Sequence, residues 1–123
     1  MATILLVEDN PQNMKLATLV LRGAGHEVLQ AGDALLALEL ARLHRPALVL
    51  MDINLPGVDG FEATRRLKAD ALSAGIKVLA LTAYAMPGDE ARILAAGFDG
   101  YLSKPIHHAE LRRLVEAALQ APP

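Results

Sequence analysis

Three short runs of the chain, Ile4-Leu5-Leu6-Val7, Ala47-Leu48-Val49-Leu50-Met51 and Val78-Leu79-Ala80-Leu81, are aliphatic at successive positions rather than at alternate ones. A strand with one face in water alternates polar and apolar residues, so runs of this kind belong to a parallel sheet covered by helices on both faces. Strands are therefore expected at Thr3–Val7, Ala47–Met51 and Lys77–Leu81 in the centre of the sheet. Glu27–Ala31 mixes polar residues among its apolar ones and Gly100–Leu102 is short, which suits both to the edges.

Helix signals fill every gap between these runs. Asn10 and Pro11 supply a cap and an N1 proline before Met14–Arg22, and Gly23-Ala24-Gly25 closes that helix as a turn. Asp33 caps Ala34–His44, which Pro46 ends. Gly60–Lys68 keeps Phe61, Thr64 and Leu67 on one face, and Pro87 opens Gly88–Ala96 with Asp89 and Glu90 in its first turn. Ala109–Leu119 carries Leu111, Leu114, Val115 and Ala118 as a stripe. Right-handed crossovers then predict an α/β, doubly wound, five-stranded parallel sheet of order 2-1-3-4-5 with five helices, a flavodoxin-like fold. With 123 residues, a single domain over 1–123 is expected.

Composition removes several classes of function. The chain has no Cys, which excludes disulfides, thiolate catalysis and Cys-ligated metals. A net charge of −2 and only two Tyr, two Phe and no Trp argue against direct nucleic-acid binding. No apolar run approaches the roughly 20 residues of a membrane span, and Glu8-Asp9 stops the first run with no basic segment before it, so a cytoplasmic protein is expected. His107 and His108 are adjacent and diverge on a helix, and His26 and His44 lack partners at ligand spacing. Asp52-Ile53-Asn54 begins like a calcium loop, but Pro56 and Ala63 stand where that loop needs oxygen ligands.

In a sheet of this kind all strands end on one side, and the ends here are polar. The first ends in Glu8-Asp9, the third in Asp52, the fourth in Thr82-Ala83, and Lys104 follows the fifth. The second ends only in Ala31-Gly32, as befits an edge remote from the crevice between strands one and three. Two carboxylates about 4 Å apart repel by about 4 kcal/mol at an effective dielectric of 20, so three together call for a proton or a cation. An all-oxygen set selects a hard ion, Mg²⁺ above all, with Mn²⁺ able to substitute. Asp9 is assigned direct ligation beside Asp52, and Glu8 a water-mediated part. A carboxylate beside such an ion, facing Lys104 and the Thr82 hydroxyl, is equipped to receive a phosphoryl group, with Asp52 as nucleophile.

At these residues the chain resembles the response-regulator receiver domain over essentially its whole length. The resemblance rests on Leu6-Val7-Glu8-Asp9-Asn10, on Leu50-Met51-Asp52-Ile53-Asn54-Leu55-Pro56-Gly57, on Leu81-Thr82-Ala83 and on Ser103-Lys104-Pro105. It implies that Asp52 accepts phosphate from a sensor histidine kinase or a histidine phosphotransfer protein, that the Asn54 carbonyl joins the Mg²⁺ ligands, and that Ala83 meets a need for a small residue. It further implies Thr82 and Tyr101 as a switch pair that reshapes a surface for a downstream protein target or a phosphorylation-dependent homodimer. A cis Lys104–Pro105 bond and a tuning of phosphoryl lifetime by Asn54 and Tyr84 follow from the same likeness. The stretch Thr82–Glu90 is similar both to stand-alone regulators of the DivK type and to receivers of hybrid histidine kinases. Such a module is a regulatory phosphoacceptor rather than an enzyme. The rival is a haloacid-dehalogenase-type Mg²⁺-dependent phosphohydrolase, whose general-acid Asp would stand where this chain has Asn54.

Overall fold

The computed structural model describes residues 2–83 and 88–121. Five strands, β1 (Thr3–Val7), β2 (Glu27–Ala31), β3 (Leu48–Asp52), β4 (Lys77–Thr82) and β5 (Gly100–Ser103), form one parallel sheet in the order β2-β1-β3-β4-β5. Five helices alternate with them: α1 (Pro11–Gly23), α2 (Ala34–His44), α3 (Gly60–Ala69), α4 (Asp89–Ala95) and α5 (His108–Gln120). The α/β architecture, strand order and helix number agree with the expectation from sequence.

Alternation along the three central strands divides the core in two. Ile4, Leu6, Leu48, Leu50, Leu79 and Leu81 pack with Ala17 and Leu21 of α1 and with Leu111 and Val115 of α5. Their neighbours Leu5, Val7, Val49, Met51, Val78 and Ala80 face Ala37 and Ala41 of α2, Ala63 and Leu67 of α3 and Ile93 of α4. Both faces are thereby closed to water, which is why these strands carry no polar alternation.

The ends of several elements differ from the expected ones for local reasons. Helix α1 starts at Pro11 because Asn10 Oδ1 accepts from the amides of Gln12 (2.9 Å) and Asn13 (3.1 Å). Strands β3 and β4 run one residue further, making Asp52 and Thr82 their final members. Helix α4 starts at Asp89, since Gly88 has φ of 94° and serves as the cap, a left-handed conformation that favours glycine. The expected roles of Tyr84 and Pro87 fall outside the described residues. His26 is buried at the opposite end from the polar strand ends, where its Nδ1 accepts from the Ala2 amide at 3.2 Å.

Candidate functional site

The register of the sheet brings the first two acids together. Val7 is paired with Met51, so Glu8 and Asp52 follow at one level on neighbouring strands. Alternation puts both in phase with Ile4, Leu6, Leu48 and Leu50, on the α1/α5 side. Glu8 extends the ladder by donating its amide to Ala31 O at 3.1 Å. Both residues are buried at 2% exposure, whereas Asp9, the residue after Glu8, is exposed.

Lys104 reaches this pair from the far end of β5. Its Nζ donates to Glu8 Oε1 at 2.8 Å and to Asp52 Oδ2 at 3.0 Å. The loop carrying it is anchored to β4 by the Lys104 amide, which donates to Thr82 O at 2.7 Å, and the Lys104–Pro105 bond is cis. Backbone amides satisfy the remaining carboxylate oxygens. Asn54 N donates to Asp52 Oδ1 at 3.0 Å and Asn10 N to Glu8 Oε2 at 3.3 Å. The roles of these two amides were not legible in the sequence, because a backbone donor leaves no mark on residue type.

The burial of two acids beside one lysine divides their titration. Burial pushes the Glu8 carboxyl up to about 7, and its hydrogen bond to Asp52 adds to the rise against the pull of Lys104. Burial acts on Asp52 in the same sense, but hydrogen bonds from Glu8, Lys104 and the Asn54 amide outweigh it and hold that carboxyl below the usual carboxylate range. Lys104 is likewise subject to burial, which favours its neutral form, yet its contacts with Glu8 and Asp52 raise it above the ordinary lysine value. At neutral pH the site thus keeps an ionised Asp52 against an ammonium, with a proton shared toward Glu8.

Glu8, Asp9 and Asp52 each offer a carboxylate oxygen, and these atoms lie within 4.8 Å of one another. That spacing and an all-oxygen donor set fit a small hard divalent cation. Thr82 is fully buried at the end of β4, beside Ser103 in register, and Ala83 is exposed next to it. Asn54 is exposed on the loop after β3. Tyr101, half-buried on β5, packs against the core on the α2–α4 side rather than among the acids. Glu8, Asp9, Asp52 and Lys104 therefore converge, Thr82, Ala83 and Asn54 border them, and Tyr101 lies apart.

Comparison with known proteins places this geometry in context. The family model of the response regulator receiver domain matches residues 4–116. The polar-differentiation response regulator DivK of Brucella anthropi is 49% identical over 104 residues, covering 85% of each chain, and that of Brucella ovis is 48% identical over the same share. The receiver domain of sensor histidine kinase PA1611 from Pseudomonas aeruginosa superposes with a TM-score of 0.90 at 38% identity over 98% of both chains. Its crystal structure has a magnesium ion coordinated in the active-site cleft. A putative response regulator from Chloroflexus aurantiacus has a TM-score of 0.93 at 32% identity, again over 98% of each chain.

Proposed function

The chain belongs to the response regulator receiver domain family of two-component signalling, and from that premise we propose that Asp52 is its phosphoacceptor. The donor is a phosphohistidine of a sensor kinase or phosphotransfer protein. The observation that carries this reading is the single ammonium of Lys104, held by Glu8 and Asp52 with Asp9 at the same cluster. On this reading one domain spans 1–123.

An Asp52 carboxylate oxygen attacks the donor's phosphorus. The P–N bond breaks, its electron pair stays on the imidazole nitrogen, and that nitrogen takes up a proton. Asp52 suits this task because its amide and ammonium partners keep it ionised, and the Asn54 N–H fixes the orientation of the carboxylate. Asp9, Asp52 and the Asn54 carbonyl would hold Mg²⁺, with Glu8 through water. When bound, the ion, or Mn²⁺ in its place, would supply charge neutralisation at the phosphoryl oxygens. Lys104 then turns from Asp52 toward the transferred group, and the Thr82 hydroxyl and the amide beyond it at Ala83 donate to its oxygens.

The added negative charge is the signal. Thr82 drawn toward the phosphoryl group vacates space on the side of β4 that faces Tyr101, paired in register with Ala80, and the ring turns inward. The reshaped β5 surface binds a downstream protein target or a second phosphorylated copy. Among the described residues no helix is long and apolar enough to cross a membrane, and we place the protein in the cytoplasm. The phosphohydrolase reading is not favoured, since Asn54 cannot protonate a leaving group.

Intact-mass analysis after incubation with acetyl phosphate and Mg²⁺ tests the proposal. One phosphoryl adduct is expected, lost in Asp52→Ala and without the metal. An adduct that survives in Asp52→Ala, or rapid turnover of phosphate monoesters, would overturn it. The chain has no Trp for fluorescence, so amide NMR with beryllofluoride is the conformational readout, with shifts expected at Thr82, Tyr101 and Lys104.

A further inference from the structure

The first residue of α3 is a glycine pressed against the backbone that presents Asp52. A β-carbon placed on Gly60 would lie 2.4 Å from Asp52 O, 2.7 Å from Ile53 Cα and 3.0 Å from Asp52 C. All three are main-chain atoms, so no side chain can swing aside to make room. Ordinary carbon contacts need about 3.5 Å, so an added methyl requires a backbone displacement of roughly an ångström.

Two parts of the molecule could supply that displacement. Helix α3 is held by Ala63, Thr64 and Leu67, which are buried at 1% exposure or less in a core that packs densely. The other part is the turn Ile53–Asp59, which is anchored by buried Ile53 and Leu55 but exposed at Asn54, Pro56 and Gly57, where the chain can shift without disturbing the core. This turn is tied to the sheet where Ile53 N donates to Leu81 O at 3.1 Å and to the helix where Gly60 N donates to Ile53 O at 3.0 Å. Asp59 closes the arrangement as the α3 cap, accepting from Glu62 N at 2.9 Å. The softer element is the turn, and it carries the Asn54 amide that orients Asp52.

We infer that Gly60 is a positioning residue for the Asp52 site: the absence of its side chain lets α3 seat against Asp52 O and so sets the carboxylate and the Asn54 peptide relative to the neighbouring acids. Gly60 touches neither metal nor phosphoryl group and acts through the Asp52–Asn54 backbone. The inference rests on the phosphoacceptor reading above.

The test compares Gly60→Ala with Leu67→Ala, which loosens the same helix two turns away from Asp52. Amide NMR, Mg²⁺ titration and acetyl phosphate kinetics are read on both, at a temperature where circular dichroism shows each folded. Gly60→Ala is expected to shift the Ile53 and Asn54 amides, weaken Mg²⁺ binding tenfold or more and slow phosphorylation by ten- to a hundredfold. Leu67→Ala is expected to lower the melting temperature with Mg²⁺ affinity within about twofold of the parent. Parent-like amides at Ile53 and Asn54 in Gly60→Ala would overturn the inference, as would equal losses of Mg²⁺ affinity in the two variants. Failure of Gly60→Ala to fold while Leu67→Ala folds would overturn it too, because the strain would then fall on the core and not on the turn. If the parent chain neither binds Mg²⁺ nor accepts a phosphoryl group, the phosphoacceptor reading fails, and the amide shifts still decide the placement of Asn54 by Gly60.

Discussion

Glu8 Oε1 accepts a hydrogen bond from Lys104 Nζ at 2.8 Å across 96 residues of sequence. The carboxyl is nonetheless raised to about 7 by burial and by its bond to Asp52. Between about pH 4.5 and 7 the folded, metal-free chain therefore holds a proton on Glu8 that the unfolded chain has released. Its contribution to stability is full below about 4.5 and is lost as pH rises through about 7. The lowered Asp52 acts in the opposite sense, with stability present above its ordinary value and lost on further acidification.

Urea denaturation in EDTA from pH 5 to 8 should therefore show stability falling with pH by on the order of 2–3 kcal/mol, a fall flattened in Glu8→Gln. Added Mg²⁺ should stabilise more at pH 8 than at pH 6, because the cation and the Glu8 proton compete. A pH-independent stability in the parent chain would contradict the raised Glu8.

Lys104→Met removes a positive charge from beside three carboxylates while keeping the apolar stem. Mg²⁺ should bind this variant about tenfold more tightly, corresponding to about 1.4 kcal/mol, while acetyl phosphate labelling slows by tenfold or more. Metal-free melting should occur at a lower temperature, because two buried acids lose their counter-ion. Weaker Mg²⁺ binding by calorimetry would count against a cation site at this cluster.

Thr64 offers a test of the core. It is fully buried on α3, and its Oγ1 has no hydrogen-bond partner among the described residues. An unsatisfied buried hydroxyl is costly, and Val has nearly the same shape, so Thr64→Val should stabilise by about 0.5–1 kcal/mol in chemical denaturation. A loss of more than that amount would show that the hydroxyl is bonded in solution.

Asp99 joins the start of β4 to α3. Its Oδ2 accepts from Val78 N at 2.8 Å and from Lys68 Nζ at 3.0 Å, while its own amide donates to Val78 O at 2.7 Å. Asp99→Ala strips an acceptor from a backbone amide and should cost about 1–3 kcal/mol, whereas Asp99→Asn retains the amide's partner and should cost less. Equal losses in the two variants would assign the effect to the ion pair with half-exposed Lys68 instead.

The strand ends show how far local pattern reaches. Glu8, Asp9, Asp52, Thr82 and Lys104 each stand at the end of a strand or just after one, and right-handed parallel crossovers bring such ends to one edge of the sheet. Their common location is thus legible from spacing, and the motifs around them point to one family. The caps Asn10, Asp33 and Asp59 act through residues two or three positions away, so α1, α2 and α3 follow from neighbours in the chain. The left-handed Arg45 that ends α2 ahead of Pro46 is less legible, since nothing in its type favours that conformation.

By itself the chain determined five strands, five helices, their order and the acids and lysine at their ends, because periodicity, capping and crossover handedness depend on residues close in sequence or on a general chirality. The tertiary structure alone decided that one lysine is divided between Glu8 and Asp52, that Glu8 is buried while Asp9 is exposed, and that Gly60 lies against Asp52 O. Those outcomes turn on separations of a few tenths of an ångström between segments far apart in sequence, and on the water they exclude. No local pattern of residue types carries that information.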